Sequence, residues 1–516
     1  MLHPSHHAAV TPDKPAYIMA GSGETITYAE LDRISMKGAQ ALRRLGVGPG
    51  DNIALMMENR REFMEIVWAA HRAGVIYTAI SRYLGPAEAG YILRDCGAKA
   101  FIVSAADADK AAAIRAEAPD AACLTVGGAV EGFRRWEDAV AEAPATPPAD
   151  ECAGEDMLYS SGTTGRPKGI LRGWEKRPVD WAMPVVPVLV DGLFGLSQDS
   201  TYLCPAPLYH AAPLRFTLRA ASLGATCVIM EKFDPEGALR AIETHRVTHA
   251  QFVPTHFVRM LKLPEAARAG VDLSSLQKAL HAAAPCPAEV KEAMIDWWGP
   301  ILEEYYAGTE ANGITYATAA EWLAHRGTVG RSLLGEIRIL GPDGSELPRG
   351  ETGGVYFDSG IDFEYRGDPD KTAEAFARPG CSTLGDIGYL DEDGFVHLTD
   401  RAAFTIISGG VNVYPQETED LLIAHPEVMD AAVFGIPDED LGEAVHAVVQ
   451  PKGVPRDGLA EELRDWLRAR LSHVKVPKAI ELRAELPRTE TGKLMKKLLK
   501  AEYAAAPKAR SPEPAG

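Results

Sequence analysis

Apolar runs and amphipathic helical patterns alternate through the first two-thirds of the chain. Residues 52–57 form a short, almost wholly apolar run that predicts a buried strand, and residues 61–73 carry helical spacing. Residues 74–80 then predict the next strand. Strands that are apolar on both faces and separated by helices are typical of a largely parallel sheet with covered faces.

The same alternation recurs further along the chain. Residues 226–230 and 249–253 predict two more buried strands. Between them we expect a helix to begin at Asp234 and Pro235, because aspartate caps a helix N-terminus and proline suits the first helical position. The pattern therefore predicts an α/β fold with covered, largely parallel sheets for a large N-terminal domain, which we assign to residues 1–400.

The pattern changes to short strands and turns near residue 335. Residues 335–340 and 354–357 predict strands, and residues 389–398 predict a hairpin around an Asp-Gly turn. We therefore expect a β-rich segment over about residues 335–400, at the end of the large domain.

A small α+β domain is predicted for residues 401–503. A helix is expected to begin at Pro415, and the helix from Leu459 carries its apolar residues on one face. Apolar residues alternate near residue 480, which predicts a strand. Residues 504–516 are rich in alanine and proline and predict a disordered tail.

Composition narrows the class of protein. The chain has 516 residues, of which 46% are hydrophobic and 24% charged, values typical of a folded globular protein. A chain of this length is expected to contain at least two domains. Its formal net charge of −19 opposes a phosphate backbone, so we exclude a general nucleic-acid binder.

Cysteine usage and the apolar stretches indicate the compartment. The seven cysteines are scattered and form no CxxC pair, which argues against a disulfide framework or a cysteine-based zinc module. The first ten residues contain three histidines and no apolar core, so no secretory signal is predicted. The most apolar stretch, residues 182–190, is too short to span a bilayer. We expect a soluble cytoplasmic protein.

Hydroxyl side chains, glycines and cations are concentrated in residues 159–169, Tyr-Ser-Ser-Gly-Thr-Thr-Gly-Arg-Pro-Lys-Gly. Its glycines allow the backbone to turn and present N–H groups, its hydroxyls can donate to phosphate oxygens, and Lys168 adds positive charge. The spacing differs from the Walker pattern GxxxxGK[ST]. The segment predicts an anion-binding loop of another kind.

Five ordered segments, this loop included, resemble the motifs of the acyl-adenylate-forming superfamily, in its acyl-CoA synthetase branch. The other four are residues 306–310, residues 384–386 together with 400–401, residues 408–415, and residues 487–493. The resemblance implies a large N-terminal and a small mobile C-terminal domain, with Mg²⁺, ATP and coenzyme A taking part. It also implies a two-step reaction in which a carboxylate and ATP give an acyl-adenylate and pyrophosphate, and the coenzyme A thiol then displaces AMP.

The resemblance also implies roles for individual residues. Lys493 would bridge the carboxylate and the α-phosphate in the first step, Thr309 would donate to the α-phosphate, and Glu310 would anchor magnesium with Thr164. Tyr306 would stack on adenine, Asp386 would accept from the ribose hydroxyls, and Arg401 would contact ribose or phosphate at the domain junction. The ATP- and AMP-binding set as a whole is Ser160, Ser161, Gly162, Thr163, Thr164, Gly165, Lys168, Ala284, Tyr306, Thr309, Asp386, Arg401 and Lys493.

The thiol and the acid would be held by two further groups of residues. Gly409, Gly410 and Asn412 resemble the loop that lines the pantetheine tunnel. His210, Ala283 and Gly313 would line the acyl pocket. The many small residues in these segments favour a medium- or long-chain fatty acid or a bulky aromatic acid. A homodimer is left open as the assembly.

The chain departs from the family pattern at two places. Ala403-Phe404 stands where the family usually has a polar pair after the junction arginine, and Leu384 precedes Gly385-Asp386 where many relatives have threonine. Neither change removes a reacting group. Two alternatives stay open: an adenylating enzyme that loads a carrier-protein thiol, and a catalytically silent nucleotide-binding protein.

Overall fold

The computed structural model describes residues 2–160, 167–409, 411–438, 440–488 and 494–505. The strands, in chain order, are β1 (Pro15–Met19), β2 (Thr25–Thr27), β3 (Asn52–Met56), β4 (Ile76–Ala79), β5 (Ala98–Ser104), β6 (Ala122–Val126), β7 (Arg134–Arg135), β8 (Tyr159–Ser160), β9 (Lys168–Leu171), β10 (Thr201–Cys204), β11 (Thr226–Ile229), β12 (His249–Phe252), β13 (Lys278–His281), β14 (Leu302–Ala307), β15 (Ile314–Ala317), β16 (Thr328–Leu334), β17 (Glu336–Leu340), β18 (Gly353–Asp358), β19 (Glu364–Tyr365), β20 (Phe376–Arg378), β21 (Cys381–Leu390), β22 (Val396–Arg401), β23 (Ile406–Ser408), β24 (Val411–Val413), β25 (Val428–Asp438), β26 (Gly442–Pro451) and β27 (Ala479–Leu482).

Helices follow most of the parallel strands. They are α1 (Pro4–Val10), α2 (Tyr28–Arg44), α3 (Arg61–Arg72), α4 (Pro86–Asp95), α5 (Ala108–Arg115), α6 (Trp136–Ala141), α7 (Val185–Pro187), α8 (Ala211–Leu223), α9 (Pro235–Thr244), α10 (Pro254–Leu261), α11 (Glu265–Ala269), α12 (Ala288–Trp298), α13 (Ala319–Ala324), α14 (Pro369–Glu374), α15 (Pro415–Ala424), α16 (Leu459–Arg468) and α17 (Lys496–Ala505). Short 3₁₀ turns cover Ala105–Asp107, Ala402–Phe404 and His473–Lys475, and a π-helical turn covers Val188–Leu193.

Two sheets carry the strand–helix alternation that the sequence predicted. A five-stranded sheet has the order β4-β3-β5-β6-β7, and all of its pairs are parallel. The predicted strand, helix and strand of residues 52–80 are β3, α3 and β4. The predicted strands of residues 226–230 and 249–253 are β11 and β12, with α9 beginning at Pro235 and capped by the Asp234 carboxylate.

The second large sheet changes from parallel to antiparallel pairing at β14. Its order is β17-β18-β21-β22-β16-β15-β14-β13-β12-β10-β11-β1-β2, and β20 also pairs with β21. The pairs among β10, β12, β13 and β14 are parallel, whereas β14 to β15 and the pairs beyond it are antiparallel. This antiparallel region contains the predicted strands and hairpin of residues 335–400. The mixed α/β fold class is therefore confirmed.

The C-terminal region has a sheet and an apolar core of its own. The sheet has the order β24-β23-β26-β25, and β27 pairs with β26. Leu459, Leu463 and Leu467 on one face of α16 are buried in this core, as their helical spacing predicted. The Lys262 ammonium of α10 donates to the backbone carbonyls of Val428 and Met429, which connects this region to the large sheet's helices.

Among the described residues, every helix falls short of the length and apolar character needed to cross a membrane.

Candidate active site

The turn that follows β14 is the centre of the candidate site. β10, β12, β13 and β14 are parallel, so their carboxyl ends meet at one edge of the sheet, where ligands of open α/β sheets bind. Thr309 and the buried Glu310 lie in the turn from β14 to β15. Ala311 has a φ of 56°, a left-handed conformation that costs a non-glycine residue about 1 kcal/mol. Such strain persists only where the surroundings hold the backbone in place.

Hydrogen bonds hold this strained turn on its C-terminal side. The Asn312 side-chain amide donates to the Ser382 hydroxyl at 2.9 Å, and the Ser359 hydroxyl donates to the Asn312 carbonyl at 2.6 Å. Gly313 permits close packing at the next position, because a Cβ there would lie 2.0 Å from the Phe357 ring. The turn is thereby fixed against β18 and β21.

Tyr306, Asp386 and Arg401 are brought together beside the turn. The Tyr306 hydroxyl donates to Asp386 Oδ2 at 2.6 Å, and Arg401 Nε lies 3.2 Å from Asp386 Oδ1. Asp386 and Arg401 are direct cross-strand neighbours on β21 and β22, which explains how motifs so far apart in sequence meet. Burial and the adjacent Asp386 carboxylate raise the pKa of Tyr306 well above its ordinary value. One face of the Tyr306 ring is stacked on Phe357, with centroids 5.6 Å apart.

A second group joins Glu310 to Lys168 through Tyr365. The Tyr365 hydroxyl donates to Glu310 Oε1 at 2.9 Å, and Lys168 Nζ lies 5.0 Å from the centroid of the Tyr365 ring. Asp368 Oδ2 is 3.9 Å from Lys168 Nζ. Burial, with Lys371 nearby, lowers the pKa of Lys168, and burial beside Glu310 raises the pKa of Tyr365. Sequence reasoning missed Tyr365, since no local signal separates it from other aromatic strand residues.

Beneath these groups lies a buried cluster of Asp156, Arg172 and Arg215. Arg215 donates through Nε at 3.1 Å and Nη2 at 2.7 Å to the two Asp156 oxygens, and Arg172 Nη2 donates to Asp156 Oδ2 at 3.1 Å. Arg215 Nη2 also donates to the Thr309 carbonyl at 3.3 Å. Burial alone would raise the pKa of Asp156, but the two arginines outweigh it and hold that pKa well below its usual range.

This cluster connects the two ends of the segment predicted to bind an anion to the turn after β14. Asp156 precedes β8 and Arg172 follows β9, so the two residues flank the segment, while Arg215 reaches the turn from α8. Sequence reasoning missed the cluster. A signal was present, because Arg215 and Arg219 stand four residues apart as the charged residues of a mostly apolar helix, and charged side chains are buried only when they are paired.

The other residues predicted for the site lie near the carboxyl ends of the parallel strands or in the C-terminal region. Ala283, with a φ of 78°, and the half-buried Ala284 follow β13, and His210 precedes α8 with its ring 4.4 Å from that of Tyr209. Gly409 has a φ of 58°, and the exposed Asn412 lies on β24 of the C-terminal sheet. Ser160 ends β8, where its backbone pairs with Lys168. Ser161, Gly162, Thr163, Thr164, Gly165, Gly410 and Lys493 lie outside the described residues.

Comparison with known proteins decides the family. The AMP-binding enzyme family matches residues 5–360, and the AMP-binding enzyme C-terminal domain matches residues 417–493. The chain belongs to the AMP-binding enzyme family. This confirms the adenylate-forming superfamily expected from the motifs.

Relatives of this AMP-binding enzyme extend over nearly its whole length. It is 34% identical over 500 residues to a feruloyl-CoA synthase from Amycolatopsis sp, covering 96% of each chain. It is 32% identical over 511 residues to the long-chain-fatty-acid–CoA ligase FadD13 of Mycobacterium tuberculosis, covering 96% of this chain and 97% of the relative. The solved structure of the anthranilate CoA ligase AuaEII with anthranoyl-AMP matches with a TM-score of 0.85 at 25% identity, over 97% and 96% of the two chains. The predicted enzyme class, AMP-forming acid–CoA ligases, is confirmed at the level of the family.

Proposed function

We propose that the chain is an ATP-dependent acid–CoA ligase. The observation that carries the proposal is the convergence of two groups on one turn: Tyr306 with Asp386 and Arg401, and Glu310 with Tyr365 and Lys168. The first group supplies an aromatic ring and a carboxylate able to accept from a diol, which suits a nucleoside. The second supplies a cation and a carboxylate, which suits phosphates with a divalent cation.

In the first step the substrate carboxylate oxygen attacks the α-phosphorus of ATP, and pyrophosphate leaves. Both reactants are anions, so the protein must hold them in line and offset their charge. Lys168 would act at the phosphates, Thr309 would donate to the α-phosphate, and Lys493 would bridge the two reacting anions. In the second step the coenzyme A sulfur attacks the acyl carbonyl carbon, and AMP leaves with the bonding electron pair.

Glu310 fits a magnesium ion that arrives with ATP. One of its oxygens accepts from Tyr365, which fixes the carboxylate and leaves further lone pairs for a cation. Magnesium at nucleotide sites takes one or two carboxylates, with phosphate oxygens and waters completing the shell. When bound, the ion neutralises phosphate charge. No group of three or more His, Cys, Asp or Glu suited to hold a metal occurs in the part of the chain that the structure describes, so an all-protein cage is not the arrangement proposed.

We also propose that the chain divides into a large domain of residues 1–400 and a mobile domain that begins at residue 401. The tail was predicted over residues 504–516, but α17 extends to Ala505, so the mobile domain would include residues 504 and 505, and residues 506–516 lie outside the described residues. The separate core of the C-terminal sheet and the family match over residues 417–493 support this division. Arg401 would lie at the junction, and Gly409, Gly410 and Asn412 would approach the thiol path when the small domain rotates. His210, Ala283, Ala284 and Gly313 would surround the acid and the adenylate.

The proposal is tested by incubating the full-length protein with Mg-ATP and a mixed panel of aromatic, short, medium and long acids, with and without coenzyme A. Mass spectrometry should find an acyl-CoA with stoichiometric AMP. Acyl-adenylate without thioester would instead identify a carrier-protein thiol as the acceptor. No AMP with any acid would overturn the proposal and leave a nucleotide-binding protein.

Lys493→Ala separates the two steps. We expect adenylation to fall by at least about 10²-fold, because charge stabilisation at the α-phosphate is lost, while thioester formation from preformed adenylate is largely retained. Single-turnover assays of each half-reaction measure this. The matched control is Lys497→Ala, an exposed lysine on α17, which should leave both steps unchanged. Equal loss of both steps in Lys493→Ala would contradict the assigned role.

A further inference from the structure

The short strand β19 lies beside the strand that follows the segment predicted to bind an anion. It pairs antiparallel with β9, with Tyr365 opposite Ile170. The backbone N–H of the next residue, Arg366, donates to the Gly169 carbonyl at 2.8 Å. The Tyr365 N–H donates to the Thr372 hydroxyl at 3.0 Å. These contacts fix the backbone of Tyr365 next to the start of β9.

The Tyr365 side chain connects the turn after β14 with Lys168. Its hydroxyl donates to Glu310 Oε1 at 2.9 Å, and Lys168 Nζ lies 5.0 Å from the centroid of its ring. An ammonium within about 6 Å of an aromatic ring is attracted to the ring face. One side chain therefore contacts both the carboxylate proposed to hold magnesium and the cation proposed to act at the phosphates.

The hydroxyl orients the Glu310 carboxylate. Among the described residues, Tyr365 is the only one that donates a hydrogen bond to this buried carboxylate. The other oxygen lies against Gly308, where an added Cβ would be 2.5 Å from Glu310 Oε2. Carboxylates that bind metals are commonly held by such outer hydrogen bonds, and losing one costs about 10- to 100-fold in metal affinity or activity.

The ring restricts Lys168. Asp368 Oδ2 lies 3.9 Å from Lys168 Nζ and offers the ammonium a competing position. Asp368 is itself fixed at the start of α14, where its Oδ1 accepts from the Lys371 N–H at 3.0 Å. The attraction of the ammonium to the Tyr365 ring opposes a turn of Lys168 toward this carboxylate.

We propose that Tyr365 is a positioning residue that couples magnesium to the ATP phosphates. Its hydroxyl orients Glu310 for the ion, and its ring orients Lys168 for the phosphates. The inference rests on the proposed function, because it concerns the nucleotide of that same site. It goes beyond that function, because it makes the ion and the phosphates depend on one tyrosine through two separable contacts.

Tyr365→Phe removes the hydroxyl and keeps the ring. We expect the magnesium concentration for half-maximal ATP–pyrophosphate exchange to rise about tenfold or more, because Glu310 loses its hydrogen-bond donor. Manganese titrated into the protein with a non-hydrolysable ATP analogue, and followed by electron paramagnetic resonance, should bind more weakly by a similar factor. Affinity for the analogue in EDTA should stay within about twofold, since the contact between the ring and Lys168 remains.

Tyr365→Leu removes both contacts. It should weaken manganese binding as Tyr365→Phe does. In addition, it should lower the affinity for the analogue in EDTA about threefold or more, because Lys168 loses the ring and turns toward Asp368. Calorimetry in EDTA measures this difference. Equal affinities of Tyr365→Phe and Tyr365→Leu in EDTA would overturn the role of the ring.

Glu310→Gln tests whether the hydroxyl acts through the carboxylate. In this background Tyr365→Phe should change manganese binding by less than about twofold, because the charged group that the hydroxyl orients is gone. A tyrosine that only stabilises the fold would give the same loss in both backgrounds. That additive result would overturn the inference.

Tyr316→Phe is the matched control, because the Tyr316 hydroxyl also donates to a glutamate, Glu303. Glu303 stands three positions before Tyr306 on β14, so the two side chains point to opposite faces of the sheet. The control loses the same kind of hydrogen bond and should keep the native magnesium and manganese responses.

A folded Tyr365→Phe variant that also keeps both native responses would overturn the inference. Circular dichroism establishes that each variant is folded. Failure of the proposed function is a different result, in which the native protein forms no AMP with any acid. The manganese titration still tests Tyr365 in that case, because it requires nucleotide binding and no turnover.

Discussion

Two aspartates of this protein, one buried and one partly buried, have pKa values shifted in opposite directions. Asp156 lies below the candidate site between Arg172 and Arg215, and its pKa is held well below the usual range. Asp420 lies where α15 meets α12, and burial together with the carboxylates of Glu419 and Glu289 raises its pKa to about 7, against the hydrogen bond from Gln416.

The contrast shows that partners, rather than burial, decide the charge state. Burial raises the pKa of both carboxyl groups. Asp156 has two arginines to offset that cost, so it stays ionised, and its ion pairs stabilise the packing beside the candidate site. Asp420 has mainly like-charged neighbours, so its charge weakens the contact between the two helices at neutral pH. Asp156 therefore stabilises the fold beside the candidate site. Asp420 makes the contact between α12 and α15 dependent on pH.

The largest expected effect comes from Asp156→Asn. Removing the charge leaves two arginines without their shared carboxylate, and breaking a buried ion pair costs about 3–5 kcal/mol. Chemical denaturation should show a loss of this size in the free energy of unfolding. Asp191→Asn is the control, because Asp191 pairs with Arg219 at a more exposed position and should cost clearly less. Equal losses in the free energy of unfolding would show that pairing with two arginines stabilises the fold no more than pairing with one.

A smaller effect, but on catalysis, is expected from Arg215→Met. This change removes the hydrogen bond to the Thr309 carbonyl, and displacement of a positioned group by about 1 Å can cost on the order of 10²-fold in rate. We expect the rate of ATP–pyrophosphate exchange to fall about 10- to 100-fold in protein shown to be folded.

Arg219→Met, one turn along the same helix, tests whether position matters. Arg219 pairs with Asp191, on the π-helical turn. Arg219 is buried like Arg215, but its partner Asp191 lies outside the candidate site, so exchange should stay within about twofold of the native rate in folded protein. Similar losses in both variants would assign the effect to the helix and not to the contact with Thr309.

The smallest expected effect is that of Asp420→Asn, and its sign is opposite. The folded pKa of about 7 exceeds the unfolded value of about 3.9, so the folded state holds more protons between them. Stability from this group is therefore present below about pH 4 and is lost as the pH rises through 7. Asp420→Asn should be more stable than the native protein at pH 8, by roughly 1–2 kcal/mol after allowance for partial solvent exposure. Denaturation at pH 5 and pH 8 measures it; an unchanged pH dependence would contradict the assignment.

Much of the fold could be predicted because the evidence for it is local. The period of apolar residues placed β3, α3 and β4 within two residues of their observed bounds, and the Asp-Gly turn located the hairpin of β21 and β22. Asp386 and Arg401 could be singled out only through the family's motifs. Their contact across two strands has no signature in either segment alone.

The cluster below the site could not be predicted because its partners are distant in sequence. Asp156 and Arg215 are separated by 59 positions, and the pairing depends on how β8 and α8 approach each other. The contacts of Ala403-Phe404, where the chain departs from the family pattern, likewise could not be predicted from the sequence. Lys496 Nζ lies 5.2 Å from the centroid of the Phe404 ring while pairing with Glu419 at 2.8 Å, so a cation–aromatic contact stands near the junction where the family has a polar pair.

The alternation of side chains along β14 also bears on how this enzyme can change over evolutionary time. One strand joins the candidate site to the core, with Tyr306 against Asp386 on one face and Tyr305 stacked on Phe216 on the other. A substitution at residue 305 therefore changes the packing against α8 while the contact between Tyr306 and Asp386 stays in place. The two faces of one strand can accordingly be under different selection, for packing on the α8 side and for the proposed nucleotide contacts on the other.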